Sequence, residues 1–365
     1  MEKTKDEMVV YTSICMNYLP KALILGESLK KYNSNIKFFI ILLEREIPKE
    51  VTDDMYKIID KIILAKDLGF EDFDKFIFKH SIVEASTSVK GQALVYLLEN
   101  VSHKVLYIDP DIKIYNSLDI LKNWLDEHDI ILTPHLTIPE ENEIDISRNE
   151  LCAMRTGIYN LGFLGVNDKP EGLRFAKWWR DRLHLYCYDD IPRGIFTDQR
   201  WIDLAVVYFD CYIIKNLGCN MGPWNFSTRK LSRKNDKLMV NDKDELVFFH
   251  FSGFDSGSNL IVFNEYVKDK DAVEFELRNE YLADLDRMQQ QKLGKYGWSY
   301  ANYFSGEKIS NSIRRRYRDL KYFDVITESP FSKSNSYFKK VLRQKINIKE
   351  IHTLMLKVKH KLFKD

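Results

Sequence analysis

The run Val105-Leu106-Tyr107-Ile108 ends in Asp109-Pro110-Asp111, two carboxylates one residue apart. Extended backbone sends residues i and i+2 to the same side. Pro110 also pushes Asp109 away from helical geometry. Asp109 and Asp111 are therefore expected to point together into a cleft at a strand end. Two carboxylates held close repel each other unless a proton or a cation sits between them. A hard divalent ion is the simplest resident, and it would in turn hold an anionic ligand such as a diphosphate. Taken alone, the pair also fits an ordinary solvated turn.

Four later segments add groups of the right chemistry. Gly157-Ile158-Tyr159-Asn160-Leu161-Gly162 carries glycines that let a strand approach a ligand closely. Its Asn160 offers a donor and an acceptor to sugar hydroxyls, although a tightly packed core strand reads the same way. In Thr197-Asp198-Gln199-Arg200-Trp201, Thr197 reads as a helix N-cap with Asp198 and Gln199 in the first turn. That is either plain capping or a carboxylate and an amide aimed into a cleft. In Phe248-Phe249-His250-Phe251-Ser252-Gly253, strand alternation sets His250 opposite its phenylalanine neighbours, and the glycine turn favours an open strand end. A neutral imidazole beside two carboxylates suits Mn²⁺, or Mg²⁺ with waters. The other reading is a satisfied core histidine. Trp224-Asn225 pairs an aromatic face with an amide, either a sugar-binding surface or a buried core ring.

These groups need a scaffold to hold them. Residues 8–14, 37–43, 61–64 and the run before Asp109 read as strands. Helical patterns at 19–32, 51–59 and 86–99 separate them. That alternation predicts an α/β layered fold with parallel pairing, in which ligands sit beyond the carboxyl ends of the strands. Further on, 129–133 and 157–166 read as strands, and 172–185 and 198–208 as helices. Residues 238–240 and 246–251 read as a hairpin across a polar turn. The acidic stretch 139–149 reads as a candidate mobile loop, and 272–291 as a helix.

Composition narrows the class. With 45% apolar residues and 13% aromatics the chain suits a packed globular protein. A net charge of +1 gives no drive towards nucleic acid. Its 5 cysteines contain no Cys-x-x-Cys pair and read as reduced thiols. The start, Met1 to Glu7, is charged with no apolar signal core, so a cytoplasmic location is expected. The last stretch, 338–365, carries nine Lys/Arg against two acids, with Ile351, Leu354, Met355, Val358 and Leu362 at helical spacing. It reads either as a helix lying on an anionic membrane surface or as one packed on the body.

A haloacid-dehalogenase phosphatase also starts with Asp-x-Asp after an apolar strand. It requires Thr or Val two residues on, where Lys113 stands. The order strand–Asp-x-Asp, Tyr-Asn-Leu-Gly, Asp-Gln, His-Phe-Ser-Gly instead resembles the GT-A class of nucleotide-sugar glycosyltransferases. It is similar to glycosyltransferase family 8, the glycogenin and lipopolysaccharide galactosyltransferase group. It is closer still to a bacterial group with Leu-Tyr-Ile-Asp-Pro-Asp-Ile, Asp-Gln-x-Trp and Phe-Phe-His-Phe-Ser-Gly-Phe-Asp. The resemblance runs from about residue 9 to residue 255. It implies a GT-A domain over 1–265 and a helical C-terminal extension with a basic tail over 266–365.

The resemblance also implies roles. Asp109, Asp111 and His250 match the metal ligands, and Tyr11-Thr12-Ser13 match the strand end where the nucleotide rests. Asn160, Asp198 and Gln199 match positions lining the sugar, with Asp198 and Gln199 the catalytic candidates. Lys90 is a phosphate contact candidate. The family's Lys-Pro-Trp after the histidine turn is replaced here by Phe254-Asp255-Ser256. Diphosphate neutralisation then falls to the metal with Lys90 or Arg229. The implied reaction moves a hexose from a nucleotide-diphosphate sugar, UDP-sugar favoured, to a hydroxyl of a glycan, lipid-linked or protein acceptor. In an inverting enzyme Asp198 takes the acceptor proton. In a retaining one Asp198 or Gln199 lies by the sugar's reacting face. A sugar-phosphate nucleotidylyltransferase would carry a Gly-rich basic loop after the first strand, absent from Thr12 to Asn17. A non-catalytic glycan-binding module would have no need of the cation.

Overall fold

A computed structural model of the chain describes residues 5–254, 256–319 and 328–340. Its centre is a seven-stranded sheet built from β1 (Asp6–Ile14), β2 (Lys37–Leu42), β3 (Lys61–Leu64), β4 (Ser102–Ile108), β6 (Ile130–Pro134), β7 (Tyr159–Asn167) and β8 (Tyr212–Ile213). The spatial order is β8-β6-β7-β4-β1-β2-β3. Between β4 and β6 lies the short β5 (Ile112–Ile114), which leaves the sheet to pair with β9 (Phe248–His250).

The inner strands are apolar runs because both faces are covered. Val10, Ile40, Leu106 and Phe163 share one core with the helix Leu19–Tyr32, as parallel strands with helices on their faces require. β1 lies parallel to both β2 and β4, so the expected parallel α/β class is present. The helix at 19–32 and the strand at 61–64 have the expected bounds. β7 differs: it runs antiparallel to β4 and β6. Its own sequence carries no sign of direction.

Four local expectations need correction. Residues 238–240 do form a hairpin arm, but Met239 and Val240 pair with Glu245 and Asp244. Phe248, Phe249 and His250 pair instead with Ile114, Lys113 and Ile112. The buried phenylalanines gain more against the sheet core than against a surface turn. Thr197 is no N-cap; it takes a left-handed φ of 44° and the helix begins only at Ile202. The acidic stretch is helical, running through Glu143–Asp145, Ile146–Glu150 and Leu151–Thr156. Hydrogen bonds from Asn149 to Glu140 and from Ser227 to Glu140, both 2.7 Å, tie it down. The helical pattern at 86–99 is broken at Val89 into Ile82–Ser88 and Lys90–Asn100.

The chain divides into two units, 1–70 with 84–298, and 71–83 with 299–365. The helix Val273–Arg287 belongs to the first unit, where Tyr281 stacks on Phe251 at 4.0 Å and Asp284 holds Lys113 at 2.7 Å. In the second unit Phe78 gathers the rings of Tyr303, Tyr317, Phe331 and Phe338. Among the described residues no helix is long and apolar enough to cross a membrane. The basic amphipathic stretch lies, from residue 341 on, outside the described residues.

Candidate active site

β4 delivers Asp109 and Asp111 to the carboxyl edge of the sheet, and β9 brings His250 beside them. One ligand atom from each of the three lies within 4.8 Å of the others. Nε2 of His250 stands 3.0 Å from Oδ1 of Asp111 and 3.9 Å from Oδ2 of Asp109. Backbone hydrogen bonds fix the approach: Phe251 N–H donates to Asp111 O, and Asp109 N–H to Gly162 O, both at 2.8 Å. The imidazole packs closely on Gly162. A Cβ there would sit 2.6 Å from Nδ1 of His250 and 2.8 Å from Oδ1 of Asn160.

The electrostatics follow from burial and pairing. Burial opposes ionisation of Asp111, but the adjacent His250 outweighs it and the carboxyl is pushed down to about 2. Burial likewise opposes the charged imidazolium of His250, and the Asp111 carboxylate outweighs it, raising the pKa. The donor set suits a divalent cation: two hard carboxylates and one imidazole face a common point. Nε2 of His250 is the nitrogen that faces the two carboxylates, while Nδ1 is buried without a hydrogen-bond partner among the described residues.

Lys90 is buried at the head of the helix Lys90–Asn100. Its ammonium stands 2.9 Å from Oδ2 of Asp198, 3.3 Å from Oδ1 of Asp109 and 3.2 Å from the carbonyl of Leu161. It also lies 4.0 Å over the ring of Tyr107, whose hydroxyl bonds Asp109. Burial disfavours its charge, but Asp109 and Asp198 more than compensate and its pKa is raised. Asp198, only 2% exposed, has its carboxyl raised by burial, partly offset by Lys90. Gln199 is turned towards β7: its Oε1 accepts from Leu161 N–H at 3.2 Å and its Nε2 donates to Thr156 O at 3.1 Å.

Asn160 is nearly buried, with Oδ1 accepting from Gly162 N–H and from Asn220, both at 3.0 Å. Trp224 meets His250 edge-on at 5.0 Å. Asn225 is fully buried and accepts from Gly222 N–H at 3.2 Å, so its amide serves the loop that carries Trp224. Tyr11, Thr12 and Ser13 are all buried. Tyr11 donates to the carbonyl of Lys90 at 2.9 Å and Ser13 to that of Ser86 at 2.7 Å. Arg229 is not in the cluster: its guanidinium donates to the carbonyls of Leu217 and Cys219 at 2.8 and 3.1 Å.

Sequence reasoning missed His135. It follows β6, donates from Nδ1 to Ile158 O at 3.1 Å and accepts at Nε2 from Asn160 at 3.1 Å. Its ring also meets Trp224 at 5.7 Å. Its place just beyond the carboxyl end of a sheet strand was the available signal.

No protein-family model matches the chain. It is similar to the uncharacterized protein YfnF of Bacillus subtilis, 29% identical over 155 residues, 41% of this chain and 50% of that one. The chain spans half or less of the curated relatives it matches. Among solved structures it is similar to the galactosyltransferase LgtC in complex with donor and acceptor sugar analogues. That likeness is 17% identical, covers 68% of this chain and 87% of that one, and has a TM-score of 0.37. It is also similar to the glycosyltransferase GlyE of Streptococcus pneumoniae, 14% identical, covering 80% and 66%, with a TM-score of 0.43.

Proposed function

We propose that this chain is a metal-dependent glycosyltransferase that moves a hexose from a nucleotide-diphosphate sugar, UDP-sugar favoured, to an acceptor hydroxyl. The observation that carries the reading is the convergence of Asp109, Asp111 and His250 at the strand edge. A divalent cation held there, Mn²⁺ or Mg²⁺, would supply Lewis-acid stabilisation of the departing diphosphate. The chain's own residues do the rest. Lys90 fixes the carboxylates of Asp109 and Asp198 in one geometry and keeps their charges from repelling. Asp198 is held in that ion pair and almost wholly buried. This supports a place beside the donor sugar over a part as the acceptor's proton-taking base. Gln199 braces the backbone of Leu161, next to Asn160 on the sugar side. Trp224 stands beside the same cluster, its ring 5.0 Å from that of His250. The acceptor is a glycan, lipid-linked or protein-borne, and 5 free cysteines support a cytoplasmic setting.

The test is a donor screen with Mn²⁺ on the full chain, reading release of free nucleoside diphosphate. Mn²⁺-dependent release that is lost in Asp111→Ala supports the reading. Pyrophosphate exchange would make the chain a nucleotidylyltransferase, and binding without turnover would make it a glycan-binding module.

A further inference from the structure

The ribbon formed by β5 and β9 has two ends, and the reaction proposed above uses only one. At that end Phe251 N–H donates to Asp111 O. At the other, Tyr115 N–H donates to Val247 O at 2.8 Å. The four steps from Asp111 to Tyr115 cover roughly 13 Å of extended chain. Beyond that far end opens a cavity of about 600 Å³, to which Asp109, Asp111 and His250 contribute nothing. Its size is that of a small-molecule site.

The walls define the ligand. Four cationic side chains (Lys31, Lys113, Arg233, Lys237) meet five carboxylates (Glu27, Asp236, Glu245, Glu280, Asp284). Most of these charges are already matched. Lys113 is held by Asp284 at 2.7 Å and Glu280 at 3.5 Å, and Lys237 pairs with Glu245. A nucleotide or phosphorylated ligand needs an excess of cationic donors, which this wall lacks. Two rings, Tyr32 and Tyr115, lie in the wall, with Lys31 5.0 Å over one side of the first and Lys113 5.6 Å over one side of the second. The Tyr115 hydroxyl is buried and has no hydrogen-bond partner among the described residues. Burial first, then the nearby Glu280 and Asp284, keep it a neutral O–H group. An orphaned buried hydroxyl is costly unless a ligand or water completes it. Neutral sugars combine apolar ring faces with many hydroxyls that both donate and accept, which is what this wall can pair.

We propose that the cavity at Tyr115 and Tyr32 is a second carbohydrate-binding site that holds a neutral glycan segment away from the transfer centre. Its role, holding the chain that bears the acceptor, rests on the transferase reading; the binding itself does not. The test titrates the full chain with neutral tetrasaccharides (maltotetraose, cellotetraose, chitotetraose) in EDTA and without nucleotide, by saturation-transfer NMR and calorimetry. Tyr115→Phe removes only the hydroxyl, and Tyr32→Ala removes a half-exposed ring. At least one saccharide should bind, and each substitution should weaken it by roughly five- to tenfold, as losing a hydrogen bond or a ring contact does. Circular dichroism and Mn²⁺-dependent donor hydrolysis should be unchanged. No binding by any of the three, binding indifferent to both substitutions, or displacement by inorganic phosphate would overturn the proposal. Donor hydrolysis without saccharide binding would sink this site and leave the transferase reading. Saccharide binding sensitive to Tyr115→Phe without donor hydrolysis would do the reverse.

Discussion

Nε2 of His250 lies 3.0 Å from Oδ1 of Asp111, although the two stand in different halves of the chain. The contact exists because Phe248–His250 pairs with Ile112–Ile114, laying His250 opposite Ile112. A two-stranded ribbon thus does what no local motif can: it closes a three-ligand set from two distant segments.

Gly162 is the floor under that set. Gly162→Ala puts a methyl group into the imidazole and Asn160. Overpacking of this kind costs about 1–3 kcal/mol. The expected outcome is a lower thermal midpoint together with weakened Mn²⁺ binding. A variant that binds Mn²⁺ like the wild type would show that the imidazole needs no such close seat.

The Lys90–Asp198 pair is buried on both sides, with side chains 4% and 3% exposed. Lys90→Met leaves the carboxylate without its partner in a dry site, a loss on the order of 3–5 kcal/mol. Urea denaturation should register it, and adding Asp198→Asn should recover a large part, because the uncompensated charge is then gone. A Lys90→Met protein as stable as the wild type would contradict the arrangement.

His135 gives a pH dependence with a definite sign. Burial pushes its pKa down to about 4, against an ordinary value of about 6.5. The folded state therefore takes up fewer protons than the unfolded chain between those values. Stability from the neutral imidazole is complete above about 6.5 and is lost as pH falls towards about 4. Protonation would also set an Nε2–H against the Asn160 amide that now donates to it. Denaturation midpoints compared at pH 7.5 and 5 should fall, and His135→Gln should flatten part of that fall. An unchanged pH slope in the variant would count against this reading.

Much of the scaffold was legible because burial on both faces writes itself as apolar runs. The strands around Val10 and Leu106 and the helix from Leu19 to Tyr32 are of this kind. What stayed hidden was set by contacts between distant segments. The direction of β7 depends on its neighbours, and so does the choice of Phe248–His250 for β5 over the nearer hairpin arm. Lys90 carries no sequence sign of burial, because the carboxylates that neutralise it come from two other parts of the chain. The Asp-Gln pair was readable as a motif. Its position was not, since Thr197 adopts a left-handed turn that places Asp198 before the helix. The acidic stretch 139–149 looked mobile because its charges are many. The bonds Glu140 makes to Asn149 and Ser227 show those charges used as anchors.

The central claim is that the Asp109, Asp111 and His250 side chains grip one divalent cation. Electron paramagnetic resonance of free Mn²⁺, titrated with wild type and with Asp111→Asn, reads this without any donor or acceptor. The account predicts one Mn²⁺ bound per wild-type chain and an affinity reduced by more than about tenfold in the variant. Equal quenching of the free-ion signal by both proteins, or none by the wild type, would contradict it.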